Sequence, residues 1–379
     1  MDANRVPEDL LKSLHCVEGF DEKAFVDVHA HGGQVVSVRF NHEKISSGQE
    51  KIFPGSEKIP WSSSGYYLPS RPSFTLDPLL HAGAYYVQEA SGMFLEQCVL
   101  QTADLTRPVK VLDLCAAPGG KSTLLQSLIP NDGLLVSNEV IKTRVNILVE
   151  NLSKWGGSNI IVTNNDPRDF GRLENYFDLM VVDAPCSGSG LFRRDANAVE
   201  EWSPEAVNMC SMRQRRILAD AYTCLKQNGI LIYSTCSYSP EENEGICDWL
   251  SENYEVTSVK LHIPADWNII ETRSNKSSAY GYRFFPDKLK GEGFYVACFR
   301  KKDGEEEYPG AVKKNKFETV SRSGTEIIKP WLKDPSSFNF YHLGNEVFAF
   351  PKTLQDDLVN ISTNLYAKKG RCIGGQTNE

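Results

Sequence analysis

The sequence predicts an α/β protein built on a doubly wound, mostly parallel sheet, and three observations lead there. Between about residues 108 and 250, short continuous apolar runs alternate with amphipathic helical stretches. Unbroken runs, without the apolar–polar alternation of a half-solvated sheet, belong to strands covered on both faces. A Gly-rich turn follows the first run, at the strand end where open α/β sheets bind their ligands.

In chain order, QVVSVRF (34–40) has the β-branched content of a strand. Residues 43–65, rich in Ser, Gly, Lys and Pro, read as a linker or long loop. The buried strands are VKVLDL (109–114), LLVSN (134–138), NIIVT (159–163), DLMVVDA (178–184) and ILIYST (230–235). Residues 142–156 place Val145, Leu148 and Leu152 on one helical face. Residues 203–229 open with Ser203 as N-cap and Pro204 in the first turn, and close on Asn228-Gly229. GFYVACFRK (293–301) is a later strand, antiparallel at one side of the sheet. Residues 303–316 read as a solvated linker, and residues 308–379, with 10 basic and 7 acidic groups, as a small appended domain.

A chain of 379 residues has room for two or three domains. Its 41% apolar and 24% charged content excludes a collagenous, coiled-coil or wholly disordered chain. With 41 basic against 49 acidic residues the net charge is −8, so any nucleic-acid contact rests on local patches. The sequence holds no run of 18 apolar residues, and MDANRVPEDLLKSLH has no apolar signal core. A cytoplasmic protein with no membrane contact is expected. Its ten cysteines include no Cys-x-x-Cys pair and no zinc-type spacing, so reduced thiols and no metal are expected.

Four segments carry the chemistry. VLDLCAAPGGKS (111–122) runs from a strand through a Gly-rich turn into a helix, where a ligand can approach the backbone and unpaired N–H groups. It is no P-loop, because Cys115 stands where that motif needs glycine, and it lacks the Gly-x-Gly-x-x-Gly of dinucleotide sites. Glu139 follows the second strand, where a carboxylate can accept both hydroxyls of a ribose, and Asp166 follows the third. Acids at successive strand ends describe a site for a nucleoside without phosphates, and S-adenosyl-L-methionine is the obvious such ligand. DAPCSGSGLFRRD (183–195) and STCSYSPEENE (234–244) then each set a cysteine just past a buried strand's carboxyl end. One such cysteine is ordinarily a small core residue; two at the same sheet edge, beside Asp183 and Pro185, are not.

These segments, in this order, resemble the Nop/Sun family of RNA cytosine-C5 methyltransferases, and GYYLPSRPSFTLDPLLHAGAYYVQEASGMF (65–94) is similar to the stretch leading into that family's domain. Within the family the chain looks most like the bacterial small-subunit ribosomal RNA enzymes of the RsmF type. The resemblance implies a Rossmann-like class I SAM-dependent methyltransferase core with a seven-stranded mixed sheet over residues 65–302. It also implies an N-terminal RNA-recognition extension (1–64) and a linker with a shortened C-terminal RNA-binding domain (303–379). It makes Cys236 the nucleophile that adds to C6 of cytosine and Cys186 the helper in product release. Asp183 would hydrogen-bond N3 and the exocyclic amine, with Lys121 beside the target base. Cys115, Ala116, Ala117, Pro118, Gly119, Gly120 and Lys121 would form the S-adenosyl-L-methionine loop, with Glu139 at the ribose, Asp166 at the adenine end and Asp183 bordering both ligands. The implied partner is 16S rRNA or the small ribosomal subunit, with tRNA the second choice, and the implied state is a monomer. Attack at C6 needs the ring face, so a flipped or single-stranded base is expected.

His29 and His31 read as surface polar residues on a strand rather than a metal fragment. Phe192-Arg193-Arg194 reads as a phosphate contact. Arg213-Gln214-Arg215-Arg216 reads equally as solvated helix, and Lys313, Lys314, Lys316, Lys368, Lys369 and Arg371 as guides for RNA. DNA cytosine methylation would require a Glu-Asn-Val segment after Cys186, which is absent. A ribosome-assembly factor that binds without turnover is the rival of another class, and filled catalytic positions speak against it.

Overall fold

The computed structural model describes residues 6–305, 317–343 and 346–365. Most of the expected linker, and the six basic residues expected to guide RNA within and beyond it, lie outside the described residues.

The chain begins with helices α1 (Glu8–Leu14) and α2 (Glu22–His31); Asp21 caps the second by accepting from the Ala24 N–H at 3.1 Å. Leu10, Leu14 and Phe25 on these helices pack against Phe192, Trp202, Tyr238 and Phe285. Next comes an antiparallel sheet of β1 (Val36–Phe40), β2 (Glu57–Lys58), β3 (Gly65–Leu68) and β4 (Tyr85–Val87), in the order β2-β3-β1-β4. Short helices α3 (Gln49–Ile52) and α4 (Pro78–His81) lie between its strands. Residues 43–65 are therefore more than a loop: they contribute α3 and β2 and bury Ile59 and Trp61. Arg39 fastens this sheet to the large unit. Its buried guanidinium donates to Gln88 Oε1 at 2.8 Å and Thr123 Oγ1 at 2.5 Å, and lies 4.3 Å from the Trp155 ring centre.

After α5 (Leu95–Thr102) the doubly wound core runs β5 (Lys110–Asp113), α6 (Gly120–Leu128), β6 (Leu134–Asn138), α7 (Lys142–Trp155), β7 (Ile160–Thr163) and β8 (Phe177–Asp183). It continues through α8 (Ala196–Glu201), α9 (Pro204–Ala221), β9 (Leu225–Thr235), α10 (Glu244–Asn253), β10 (Val256–Ser258), β11 (Ile270–Arg273), β12 (Tyr280–Phe284) and β13 (Phe294–Lys301). The spatial order is β11-β12-β13-β9-β8-β5-β6-β7, with β10 paired to β13. Strands β5 to β9 are parallel, and β13 lies antiparallel to β9. Neighbouring residues on the parallel strands serve opposite faces. Leu112, Val136, Met180 and Tyr233 belong to one apolar cluster, and Val111, Leu135, Val181 and Ile232 to the other. Burial on both sides is why these runs are continuous in sequence.

The expected seven strands become nine. β13 is eight residues long and carries two outer partners: β12 pairs with its first half (Tyr282 opposite Val296) and β10 with its second (Ser258 opposite Phe299). β13 is accordingly not an edge strand. Helix α9 opens as expected, with Ser203 Oγ accepting from the Ala206 N–H at 3.1 Å, but it ends at Ala221. Asn228-Gly229 sits instead in a bulge of β9, where Phe177 and Leu179 of β8 face Leu225 and Ile230, and Asn228 takes a φ of 61°. The carboxyl-terminal segment, α11 (Arg322–Ile328), β14 (Phe338–Leu343), β15 (Glu346–Pro351) and α12 (Gln355–Asn364), packs Tyr341, Phe350, Leu358 and Ile361 into the first apolar cluster. Asp357 anchors it, accepting from Tyr176 Oη at 2.5 Å and lying 2.6 Å from Lys110 Nζ. Among the described residues, no helix is long and apolar enough to cross a membrane.

Candidate active site

Strand β5 has β6 on one side and β8 on the other, because the chain returns past β5 after β7. That reversal opens a crevice at the carboxyl ends, the usual ligand position in such sheets. Residues 114–119 turn there into α6, and Gly119 adopts φ +114°, a conformation that disfavours a side chain. A cleft follows, lined by Cys115 to Pro118, Gly120, Lys121, Asp183 and Cys236. Its opposite walls come from Tyr86 to Glu89 beside the small sheet and from Leu191, Arg194 and Glu292 to Phe294.

The two cysteines meet because their strands are paired. Asp183 at the end of β8 sits opposite Ser234 of β9, so Cys186 and Cys236 emerge side by side, with Sγ atoms 3.0 Å apart. Cys236 lines the cleft; Cys186 does not appear among its lining residues. The hydrogen bond with Cys236, followed by burial and the nearby Glu242 charge, holds the Cys186 thiol well above its ordinary range, so Cys186 keeps its proton. Glu242 clamps the two loops together. Its buried carboxylate accepts from the Ser187 N–H (2.8 Å), Ser187 Oγ (2.5 Å), Ser237 Oγ (2.6 Å) and Gln214 Nε2 (3.2 Å).

Lys121 Nζ lies 2.7 Å from Asp183 Oδ2. Burial works against its ammonium, but Asp183, and more weakly Asp113 and Cys236, outweigh that and hold it above the usual lysine range. Asp113 is pushed up to about 7 by burial, against a 2.6 Å hydrogen bond from Ser122 Oγ and with the charge of Asp183 added. Its Oδ1 is buried and has no partner among the described residues.

Glu139 and Asp166 do not line this cleft. Glu139 is buried at the end of β6, accepts from the Ile141 N–H at 2.8 Å and lies 3.3 Å from Arg144 Nη1, while Arg144 Nη2 donates to the Ala117 carbonyl at 2.6 Å. Asp166 caps a 3₁₀ turn through the Arg168 N–H at 3.2 Å. The loop glycines, the small Ala116 and Ala117, the orphaned Asp113 oxygen and a carboxylate one strand over fit a nucleoside ligand.

Other expectations change. His29 and His31 lie on α2 rather than a strand; His29 is buried and donates to the Phe25 carbonyl at 2.7 Å, while His31 pairs with Asp27 at 3.0 Å. Among the described residues no metal-binding cluster of three or more His, Cys, Asp or Glu occurs. Phe192 is core, and the Arg193 side chain is only 5% exposed, bound to the Gly33 and Gly291 carbonyls and to Glu292. Arg194 alone of that trio faces the cleft. Within the other basic cluster Gln214 is buried against Pro185 and Glu242, and the three arginines are exposed. Sequence reasoning missed Glu89, Glu242 and Glu292. Glu242 stood inside the quoted Thr-Cys segment, and Glu292 directly precedes a recognised strand.

A mixed sheet with a Gly-rich turn at its switch point and an acid after the next strand defines a Rossmann-like methyltransferase fold. Comparison with known proteins narrows this. The family model for 16S rRNA methyltransferase RsmB/F matches residues 100–300, and that for the N-terminal domain of 16S rRNA methyltransferase RsmF matches residues 6–90. The chain belongs to the RsmB/F family. It is 34% identical over 317 residues to ribosomal RNA small subunit methyltransferase F of Aliivibrio fischeri, covering 79% of this chain and 65% of that relative. It is 30% identical to the protein of the same name from Shewanella piezotolerans, covering 92% of this chain and 75% of that relative. A methyltransferase homologue from Pyrococcus horikoshii superposes with a TM-score of 0.62 at 28% identity, over 78% of this chain and all of its own. NSun6 from the same organism, solved with SFG, shares the fold at a TM-score of 0.65 and 18% identity, over 79% of this chain and 99% of that one.

Proposed function

We propose that this protein methylates C5 of a specific cytosine in RNA, the RNA being small-subunit (16S) ribosomal RNA, through a covalent Cys236–C6 adduct, and that it works as a monomer. The observation that carries the reading is that, of two touching thiols, Cys236 lines the cleft with Lys121 and Asp183 while Cys186 does not. Family membership and the names of the relatives support the reaction class and the RNA.

Cytosine C5 is a poor nucleophile. Addition of the Cys236 thiolate to C6 breaks the ring's conjugation and moves an electron pair onto C5. Asp183 accepts from the exocyclic amine and from N3, which takes up a proton from water as the thiolate adds and returns it when the base is restored; this draws electron density from the ring, and Lys121 keeps Asp183 in place. S-adenosyl-L-methionine, when bound, supplies the electrophilic methyl that C5 takes up; residues 115–121, Glu139, Asp166 and Asp183 would hold it. Loss of the C5 proton and of the Cys236 thiolate then restores the base, with the Cys186 S–H donating to the departing sulfur.

Bisulfite sequencing of 16S rRNA from cells with and without the gene tests the reading. One cytosine protected only when the gene is present supports it. An identical pattern in both, together with no methyl incorporation into transcribed 16S rRNA by the purified protein, contradicts it.

A further inference from the structure

We propose that Glu292 is the base that takes the C5 proton as the Cys236–C6 bond breaks, an assignment that rests on the cytosine-C5 reading above. Once C5 has taken the methyl, it holds that group on one face and its hydrogen on the other. The proton must leave on the side away from the methyl donor, so the base has to stand across the target ring from the Gly-rich loop.

The strand order sets Glu292 on the far side of Cys236 from the Gly-rich loop. Along the carboxyl edge come the loop after β5, Asp183 at the end of β8 and Cys236 after β9. Glu292 comes just before β13, which runs antiparallel and so begins at the same edge. With neighbouring strands about 4.8 Å apart, β13 is roughly 14 Å from β5, and a ring held by Asp183 and Cys236 lies between them. Glu292 and Glu89 both line the cleft.

Glu292 is tied to the nucleophile's loop. Its N–H donates to Glu89 Oε1 at 2.8 Å and its carbonyl accepts from Ser91 Oγ at 2.9 Å. The next residue, Gly293, donates to the Gly190 carbonyl at 3.3 Å, and the Gly190 N–H donates to the Cys236 carbonyl at 2.8 Å. Of its carboxylate oxygens, Oε2 lies 3.5 Å from Arg193 Nη1, and Oε1 is buried with no partner among the described residues. A buried carboxylate oxygen without a donor is rare and calls for an explanation. Burial, opposed by Arg193 and Arg194 and reinforced by Glu89, pushes its carboxyl up to about 7, near the optimum for a base working at neutral pH. Tyr238 also senses its charge.

In the step, the Glu292 carboxylate accepts the C5 proton and the C5–H electron pair becomes the C5=C6 bond. The C6–S pair leaves with Cys236 as thiolate, and Glu292 returns the proton to water.

The test uses the full chain, tritiated S-adenosyl-L-methionine and transcribed 16S rRNA. Glu292→Gln should accumulate a protein–RNA adduct that already contains labelled methyl, forming within a few-fold of the wild-type rate but releasing product about 100-fold more slowly. Glu292→Asp should release at an intermediate rate. Wild-type release should rise with pH to a plateau above about 7, and that rise should vanish in Glu292→Gln. Release at the wild-type rate overturns the assignment. So does a Glu292→Gln protein with an unchanged unfolding midpoint that forms neither adduct nor methylated RNA, because that is what the Arg193 ion pair alone would produce. Cys186→Ala runs alongside: if it traps no adduct, the cytosine-C5 reading fails rather than the role of Glu292.

Discussion

Removing Glu242 should separate the two cysteine loops, and the cost follows from its contacts. The side chain is wholly buried and receives four hydrogen bonds, two from groups that cannot turn away: the Ser187 N–H and Gln214 Nε2. The Ser187 and Ser237 hydroxyls can rotate to other acceptors, since they lie 3.2 Å apart. Each stranded buried donor costs about 1–3 kcal/mol, so Glu242→Ala should lose about 3–5 kcal/mol once the vacated space is included. Glu242→Gln keeps one oxygen for the two fixed donors and should lose about 1–2 kcal/mol. Denaturant unfolding measures both, and adduct yield in a Cys186→Ala background reports the loop geometry. If Glu242→Ala loses under 1 kcal/mol and leaves the yield unchanged, the clamp does not exist.

Lys121→Met should reduce methyl transfer by about 100-fold or more with little effect on unfolding, as measured by tritium incorporation. Asp113 and Glu292 each titrate near 7, above their ordinary carboxyl values. Because the folded values are raised, their stabilising contribution is complete below about pH 4 and is lost as pH rises through about 7. The melting temperature of the ligand-free protein should therefore fall between pH 5 and 8, and Asp113→Asn should flatten the fall; an equal slope in the variant would contradict this. Asp357→Ala removes the acceptor for Tyr176 and the partner of Lys110, and should cost about 2–4 kcal/mol and expose the carboxyl-terminal segment to proteolysis. Affinity for 16S rRNA, measured by filter binding, should drop steeply with salt despite the net charge of −8.

Which parts of the molecule were legible in the sequence follows from burial. Strands β5 to β9 stood out because both their faces are covered, leaving no polar positions to interrupt Val181-Val182 or Ile230-Leu231-Ile232. The cysteine pair was legible for a related reason: each follows such a strand within three residues. Of the small sheet only β1, within QVVSVRF, was legible; β2, β3 and β4 were not, because they are two to four residues long and the Ser-, Gly- and Lys-rich stretch before β3 has the composition of a loop. Asn228-Gly229 imitates a helix stop, and only the pairing of Leu225 with Phe177 reveals that a strand has already begun. Arg193 and Arg194 are chemically alike in sequence, yet one is buried against Glu292 and the other faces the cleft. Glu242 and Glu292 depend on loops brought together from 50 or more residues away, a distance over which no local spacing speaks.

Capture of RNA by the two cysteine variants bears most directly on the central claim. After incubation with S-adenosyl-L-methionine and 16S rRNA, Cys186→Ala should give a protein–RNA band that survives denaturing electrophoresis, and Cys236→Ala should give none. A stable band from Cys236→Ala and none from Cys186→Ala would show that the sulfur facing the cleft is not the one that attacks.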